Sequence, residues 1–491
     1  MNQLIRTFTP GFISLVYILS LATISTAIKL SSSSQHLCQQ LETLENYTIT
    51  SNEVIYETLR TKNWVETAWG EPACIFKPRL VSELQIALPL IVDSNVSFAI
   101  RSGGHSPHHG FANSDGGVLI DMGNFDRLDL NQEDQVASIG PGLTWGDVYT
   151  YLESYQYVVV GGRVLDVGVG GLTLGSGLSW LTDLYGLACD NMVLANGSLV
   201  HASNEENTDL FWALKGGGNN FGIITELSLS AYPLGKIWGG IKKYDIKDLP
   251  VVMDAYYEYQ SAANKDPHAN LIILTSATNA SVGIWVSMIY LKPQENPAAF
   301  SAFYGINTIS DSTAIKKFTE YMAEYAIPKF ERLDWHAISF VRSQSLYKDI
   351  VDIIVNSSAV ETMQSLAGGF MTATIQPISP RVAQQGKARG GNTLGLVEVD
   401  QTWLAFTAAW LQPDDDQTAH AAGDSIIEEV LGVSEIDDNY IPFIFMNDAS
   451  WSQDVIGSYG EENIRRLKQV QEQYDPDKVF QRMVPGGFKL P

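Results

Sequence analysis

Short apolar runs between glycine-rich turns characterise the chain from about residue 72 to residue 233. The segments 96–100 and 118–121 are two of them, each mostly apolar and each followed by turn-forming residues. Runs of this length with glycine at their ends are typical of β-strands. The pattern predicts one α+β domain in this part of the chain.

Longer apolar segments follow between residues 234 and 435, where helical and strand patterns alternate. The runs 271–275 and 282–291 are separated by a short turn, which predicts an antiparallel hairpin. Near the C-terminus, apolar residues recur at three- and four-residue spacing from Ile464 to Tyr474, before Pro476. This spacing predicts an amphipathic helix.

The N-terminus has the pattern of a secretory signal at 1–27. Arg6 precedes an apolar run over 12–24, and the small residues Ser25-Thr26-Ala27 form a cleavage site. The run is shorter than the roughly 20 apolar residues that span a bilayer, so we expect secretion rather than anchoring.

Secretion changes the interpretation of the three cysteines. An oxidising compartment favours pairing, and three thiols this scattered do not suit a metal site. We predict a disulfide between Cys38 and Cys74, with Cys189 left as a buried structural thiol. Asn-x-Ser/Thr sequons fit the same route as predicted glycosylation sites; they are Asn46, Asn95, Asn196, Asn279 and Asn356.

The composition restricts the partners. The chain has 55 acidic and 31 basic residues, a formal net charge of -24, and a sequence pI near 4.6. A field of this sign repels phosphate backbones and anionic bilayers. We therefore expect neither nucleic acid nor membrane as a partner. We also expect a monomer whose partners are a small-molecule substrate and dioxygen.

Three glycine-dense loops follow apolar strands in the first domain. They are Arg101-Ser102-Gly103-Gly104-His105, residues 161–177 and residues 216–222. Such loops can point backbone N–H groups at a pyrophosphate and let a flat ligand approach the backbone closely. None matches the G-x-G-x-x-G fingerprint or a phosphate loop ending in Gly-Lys-Ser/Thr. The loops predict a dinucleotide bound in another way.

Further motifs occur in order along the chain. They are Asn-Ser-Asp-Gly-Gly-Val at 113–118, Gly-Pro-Gly-Leu-Thr-Trp-Gly-Asp-Val-Tyr at 140–149, Gly-Val-Gly-Gly at 168–171, Tyr-Gly-Leu-Ala-Cys-Asp-Asn at 185–191 and Trp-Ala-Leu-Lys-Gly-Gly-Gly-Asn-Asn-Phe-Gly at 212–222. With the first loop they resemble the FAD domain of the vanillyl-alcohol-oxidase (PCMH) type. The tail at 474–481 resembles that of berberine-bridge-enzyme-like oxidases, and the whole pattern is similar to fungal biosynthetic members.

This resemblance implies a two-lobe α+β fold. We expect an FAD-binding domain at 68–234, a substrate domain at 235–435 with an antiparallel sheet backed by helices, and a berberine-bridge-like C-terminal segment at 436–491.

The resemblance also implies FAD bonded covalently to His105, because members bond the histidine of this loop to the flavin 8α-methyl carbon. Some members add a cysteinyl bond, but that position is Val164 here, so we expect a single bond. Val167 matches a position beside the flavin where valine accompanies reactivity with dioxygen. The other implied cofactor-binding residues are Arg101, Ser102, Gly103, Gly104, Gly168, Gly170, Gly171, Asn220 and Gly222.

Candidates for the catalytic base come from the C-terminal half. Sugar-oxidising members have Tyr-x-Asn-Tyr there, and we place Met446, which cannot accept a proton, at the second tyrosine. In 396–400, alternation puts Glu398 and Asp400 on one face of a predicted strand as candidate catalytic carboxylates. Further candidates are Asp448, His336 and His420.

The predicted function is that of a secreted FAD-dependent oxidase of a small aromatic or polyketide-like secondary metabolite. Hydride passes to flavin N5, and dioxygen reoxidises the flavin to give hydrogen peroxide. Apolar residues at Phe443, Phe445 and Met446 disfavour sugars, since each unpaired buried hydroxyl costs about 1–3 kcal/mol. The alternatives are an extracellular oligosaccharide oxidase, a flavoprotein catalysing oxidative cyclisation and a secreted glycoprotein without activity.

Overall fold

The computed structural model of the protein describes residues 31–44, 47–187, 192–193, 199–203, 205–278, 282–325 and 329–491. The predicted signal at 1–27, the sequons at Asn46, Asn196 and Asn279, and Cys189 lie outside the described residues. The sequons at Asn95 and Asn356 are exposed. Within the described ranges, no helix is long and apolar enough for a bilayer span.

The first lobe contains two four-stranded sheets and a short strand pair. One sheet has the order β1-β2-β4-β3, with β4 parallel to both β2 and β3, and the antiparallel second sheet has the order β5-β6-β10-β7. The strands are β1 Thr48–Thr50, β2 Cys74–Phe76, β3 Phe98–Arg101, β4 Val118–Asp121, β5 Leu128–Asn131, β6 Val136–Ile139, β7 Tyr157–Val159, β8 Met192–Val193, β9 Leu199–Val200 and β10 Leu227–Pro233. The helices are α1 Ser32–Glu42, α2 Ile55–Arg60, α3 Val81–Asp93, α4 Trp145–Glu153, α5 Val169–Leu174, α6 Thr182–Tyr185 and α7 Thr208–Leu214.

A disulfide fastens α1 to β2. Cys38 and Cys74 are bonded with their Cα atoms 5.9 Å apart, as predicted. Every residue of β4 is buried, which agrees with a central parallel strand covered on both faces.

The second lobe is an antiparallel sheet of nine strands in the order β14-β11-β13-β12-β17-β18-β16-β19, with β15 beside β11. Its strands are β11 Ile237–Tyr244, β12 Ala269–Ser276, β13 Gly283–Tyr290, β14 Ser310–Asp311, β15 Ala314–Lys316, β16 Arg332–Val341, β17 Phe370–Ile378, β18 Gln401–Trp410 and β19 Tyr440–Ile441. Its helices are α8 Leu249–Ser261, α9 Phe318–Glu324, α10 Gln344–Asn356, α11 Ser358–Ser365, α12 Pro380–Ala388 and α13 Asp416–Ile436. The predicted hairpin is confirmed as β12 paired with β13.

Alternation along β17 gives the large sheet two different faces. Met371, Ala373 and Ile375 are buried in a core formed with α8, α10 and α13. Thr372 and Gln376, at the intervening positions, line a cavity on the other side. The period of two along a strand thus separates packing residues from cavity residues.

The tail returns to the first lobe. The predicted amphipathic helix is confirmed as α14 Glu461–Tyr474, and α15 Val479–Arg482 follows it. Phe480 packs edge-on against Phe98 with ring centroids 6.0 Å apart. The Phe98 N–H donates to the Met483 carbonyl at 2.8 Å, so the tail completes the first sheet's edge.

Candidate active site

A cavity of about 770 Å³ is lined by residues from both lobes. The three glycine loops supply one part of its wall, including Gly104, Gly168 and Gly222, and the large sheet supplies another, including Thr374 and Ala405. The volume lies in the range of about 300–1,000 Å³ that cofactor and ligand pockets occupy.

The glycines of these loops have two different uses. A Cβ placed on Gly103 would lie 2.5 Å from the backbone nitrogen of Gly168, so this pair lets two loops contact each other. A Cβ on Gly171 would meet no atom within 4 Å, and Gly171 lines the cavity. Only glycines of the second kind serve the close approach of a ligand that the sequence predicted for all of them.

Ser102 joins three segments of the cavity wall. Its hydroxyl donates to the Pro141 carbonyl and accepts the Gly170 N–H at 3.1 Å. The first two glycine loops are therefore held together beneath the cavity.

Two of the predicted cofactor-binding side chains have structural partners instead. Arg101 is fully buried and donates to Asn63 Oδ1 at 2.9 Å and Asp121 Oδ2 at 2.7 Å. Asn220 is fully buried, and its amide donates to the carbonyls of Gly217 and Phe488. Neither is among the cavity-lining residues. Both side chains therefore stabilise the loops that form the cavity wall.

His105 forms part of the cavity wall. Its ring stacks on Trp64 with centroids 4.0 Å apart and planes at 15°. Nε2 is buried, makes no hydrogen bond to the described residues and lies 3.8 Å from Asp166 Oδ1. Burial lowers the pKa of His105 to about 4, although Asp166 opposes the shift. The imidazole is therefore neutral near pH 7, with a ring-nitrogen lone pair available for bonding.

A polar cluster interrupts the apolar wall of the cavity. Arg163 donates to Gln376 Oε1 at 2.5 Å, and Gln376 Nε2 donates to Asp448 Oδ2 at 2.8 Å. Burial raises the pKa of Asp448, although Arg163 and Gln376 oppose the shift. Burial also raises the pKa of nearby Tyr325 to about 12. Asp448 is thus the carboxylate of this cluster that can accept a proton.

The residue order of the tyrosine motif corrects the placement of Met446 at its second tyrosine. In Tyr-x-Asn-Tyr the second tyrosine follows asparagine directly, and Asn447 is followed by Asp448. Asn447 is fixed by a 3.0 Å hydrogen bond from its amide to the Leu172 carbonyl. Asp448 therefore matches that position, and Met446 lies two residues before it in the cavity wall.

The strand on which the prediction for Glu398 and Asp400 depended is absent at 396–400. The segment 396–400 is not a strand, and β18 begins only at Gln401. Glu398 is paired with Lys387 of α12 at the surface, and neither carboxylate lines the cavity. The alternating Val397 and Val399 are 46% and 36% exposed, so no buried sheet face selects the alternation.

His336 and His420 surround a buried carboxylate outside the cavity lining. His420 Nδ1 lies 2.6 Å from Asp334 Oδ2, His336 Nε2 lies 3.8 Å from the same oxygen, and His108 Nδ1 lies 3.6 Å from Oδ1. His108 also donates from Nε2 to the Ala449 carbonyl at 2.9 Å and does line the cavity. The cluster thus braces the residue that follows Asp448.

Sequence reasoning missed several cavity residues. Trp64 lies outside every motif, and Arg163 and Gln376 are far apart in sequence. An arginine next to Val164, the position of the absent cysteine, was the only local signal. The others come together through long-range packing.

Comparisons with known proteins agree with this geometry. A family model described as an FAD binding domain matches residues 72–203. A bifunctional solanapyrone synthase of Alternaria solani is 36% identical over 446 residues, which are 90% of this chain and 86% of that protein. An FAD-dependent monooxygenase of Arthrobotrys oligospora is 34% identical over 444 residues, which are 88% of this chain and 85% of that protein.

Two solved structures show the same fold. A glucooligosaccharide oxidase from Acremonium strictum with a 6-S-cysteinyl, 8α-N1-histidyl FAD superposes with a TM-score of 0.77 at 19% identity, covering 93% of this chain and 99% of that one. For 6-hydroxy-D-nicotine oxidase from Arthrobacter nicotinovorans the TM-score is 0.76 at 19% identity, covering 90% and 97%. With the full-length relatives, these results place the chain in the berberine-bridge-enzyme-like family of FAD-linked oxidoreductases.

Proposed function

We propose that this oxidoreductase bonds FAD through His105 alone, oxidises an apolar secondary metabolite and passes the electrons to dioxygen. The observation that carries the proposal is that one cavity brings together the His105 ring and the half-buried Asp448 carboxylate. The rest of its wall near the large sheet includes Leu274, Trp285 and Phe370.

The residues fit a flavin. Gly171 leaves space at the cavity wall that a side chain would fill. The buried Nε2 of His105 has no hydrogen-bond partner among the described residues, and the neutral ring can bond through a nitrogen. Val164 lines the cavity and has no sulfur, which supports a single covalent bond.

Bound FAD would accept a hydride equivalent from the substrate and return the electrons to dioxygen, giving hydrogen peroxide. Asp448, held by Gln376, would take the substrate proton. Trp64 and Trp335 would exclude water around the covalent bond. Their ring centroids lie 4.0 Å and 6.3 Å, respectively, from that of His105.

The wall favours an apolar substrate over a sugar. A sugar would leave hydroxyls unpaired against Leu274, Trp285 and Phe370, at about 1–3 kcal/mol each. The fungal synthase and monooxygenase at 34–36% identity support a metabolite substrate, whereas the carbohydrate oxidases share only the fold.

Passage through the secretory pathway is part of the proposal. It is supported by the Cys38–Cys74 disulfide, which an oxidising compartment maintains, and by the exposed sequons at Asn95 and Asn356.

Mass spectrometry of the acid-denatured, protease-digested protein tests the tether. We expect the flavin mass on a peptide that contains His105; free FAD, or flavin on any other residue, would contradict the proposal. Peroxide release on a panel of aromatic and polyketide alcohols and cello-oligosaccharides tests the substrate class. Turnover of the sugars alone would rule out the apolar substrate.

A further inference from the structure

Arg163 is a charged side chain in a cavity wall that is otherwise largely apolar. It is partly exposed, and the cavity is the space that it faces. A guanidinium has five N–H donors. Among the described residues, one hydrogen bond from Arg163 is formed, to Gln376 at 2.5 Å.

No carboxylate of the described residues lies within 4.0 Å of the Arg163 guanidinium nitrogens. Asp448 is held away from Arg163 by the side-chain amide of Gln376, which bonds to both. Enclosing a charge without a direct counter-ion costs folding free energy. Such an arrangement is understandable when a ligand supplies the missing negative charge.

The nearby aromatic residues do not supply it. Burial raises the pKa of Tyr325 to about 12, so its phenol is neutral near pH 7. The centroid of the Trp180 ring lies 6.0 Å from the Arg163 guanidinium carbon, and an indole carries no negative charge.

We infer that Arg163 binds an ionised oxygen of the substrate and is the specificity-determining residue of the cavity. The substrate class is then an apolar molecule that carries one ionised enol, phenol or carboxyl oxygen. This inference rests on the proposed function and narrows its substrate. Arginine suits the role because its planar fork can donate two parallel hydrogen bonds.

Gln376 fixes the distance between Arg163, which would bind the substrate, and Asp448, which would accept its proton. Its carbonyl accepts from Arg163 and its amino group donates to Asp448, so the guanidinium and the base are separated by a single amide. The ionised oxygen and the reacting group of the substrate must therefore lie close together in one molecule.

A matched pair of probes tests the inference. 2-Naphthoate and 2-naphthamide have nearly the same shape and differ in charge at pH 7. Their binding to the purified protein is measured by calorimetry, which requires no flavin signal, for the wild type, Arg163→Met, Arg163→Lys and Lys387→Met. Lys387 is an exposed cation outside the cavity and controls for the loss of one positive charge.

We expect the wild type and Lys387→Met to bind 2-naphthoate at least tenfold more tightly than 2-naphthamide. Arg163→Met should weaken naphthoate binding about 10- to 100-fold and change naphthamide binding by no more than about twofold. The naphthoate affinity of Arg163→Lys should lie between those of the wild type and Arg163→Met. Equal binding of the two probes by the wild type, or equal loss of both in Arg163→Met, would overturn the inference.

The flavin spectrum of ligand-free Arg163→Met provides a second measurement. An unchanged spectrum is expected; a shift would show that Arg163 holds the cofactor and would overturn the inference. Flavin content is determined separately. A wild type without flavin would refute the proposed function, whereas the inference about Arg163 is decided only by the preference for naphthoate over naphthamide.

Discussion

Trp64 stacks face to face on His105, with ring centroids 4.0 Å apart and planes at 15°. The tryptophan is 6% exposed and also contacts Trp335, with a centroid distance of 5.8 Å. The proposed attachment point of the cofactor is therefore positioned by an aromatic residue from outside the FAD-binding motifs.

Replacing Trp64 should affect both stability and the tether. Trp64→Ala should lower the free energy of unfolding by about 3–5 kcal/mol, because it removes a large buried side chain, and should reduce the covalently bound flavin fraction. Trp64→Phe should keep most of the tether because it keeps a stacking ring. Denaturant unfolding and the flavin retained after acid precipitation measure the two effects. Trp451→Ala, at a 57% exposed tryptophan, is the control; equal flavin retention in all variants would refute the role of the stack.

Asp448 should control the acid limb of the pH profile. Burial raises the pKa of Asp448. As the pH is lowered, kcat/KM should therefore begin to fall at a pH above the ordinary aspartate pKa of about 3.9. Asp448→Asn should abolish this limb and reduce kcat/KM about 100- to 10,000-fold. Glu398→Gln should leave the profile unchanged, because Glu398 is paired with Lys387 at the surface. The opposite pattern, with Glu398→Gln impaired and Asp448→Asn active, would restore the sequence-based assignment.

The same residue predicts a stability effect of known sign. Between the ordinary aspartate pKa and the raised pKa, the folded state binds more protons than the unfolded state. Stability attributable to Asp448 therefore falls as pH rises through this window. Asp448→Asn should raise Tm at pH 7 relative to the wild type and have little effect at pH 4. A lower Tm at pH 7 would show that the carboxylate is a net stabilising group.

Gly103 and Gly171 should respond differently to alanine. Gly103→Ala places a Cβ 2.5 Å from the Gly168 nitrogen, so the loops must separate and Tm should fall. Gly171→Ala adds a methyl group in open space, so the protein should fold normally with reduced flavin content. Thermal unfolding and the flavin-to-protein absorbance ratio distinguish them. Full flavin loading of Gly171→Ala would show that the ligand does not approach this part of the wall.

The cluster of His108, His336 and His420 around Asp334 should make the protein less stable both when the pH is raised and when it is lowered. Burial opposes ionisation of Asp334, but His420, His336 and His108 outweigh it and lower its pKa. Burial also opposes protonation of His420, but its hydrogen bond to Asp334 and the nearby carboxylates raise the pKa of His420 overall. The histidine contribution is complete below about pH 6.5 and is lost as pH rises through its raised pKa. The aspartate contribution is present above its ordinary pKa and is lost as pH falls through its lowered one.

Asp334→Asn should cost about 1–3 kcal/mol, because it replaces a buried carboxylate that accepts hydrogen bonds from His420 and Ser450. His420→Gln should flatten the decline in Tm between pH 6 and pH 8. Asp424→Asn is the matched control, because Asp424 pairs with His336 but is 55% exposed. Comparable losses in Asp334→Asn and Asp424→Asn would show that the buried carboxylate has no special role.

The sequence predicted the features that local patterns determine. The β12–β13 hairpin and α14 follow from periodicity over consecutive residues, and the glycine loops with His105 are contiguous motifs. The segment 396–400 shows the limit of this reasoning, since alternation predicts a strand only where a neighbouring strand buries one face. There the valines are exposed, and the strand pairing of β18 begins only at Gln401.

The polar cluster could not be predicted in this way. Arg163 comes from a loop of the first lobe, Gln376 from β17 and Asp448 from a turn near the tail. Their juxtaposition depends on how the two lobes pack, which no single segment encodes. Asn447 did mark the position of Asp448, because the second tyrosine of the motif directly follows asparagine.

The return of the tail to the first lobe imposes an order on biosynthesis. The edge of β3 is completed by Met483, and Phe488, held by Asn220, lines the cavity. Because ribosomes make the N-terminal lobe first, at about 5–20 residues per second, its partner segment is made only after the whole second lobe. The apolar surface around Phe98 stays uncovered until Phe480 has been made, and the enclosure of the cofactor is completed only after both lobes have been synthesised.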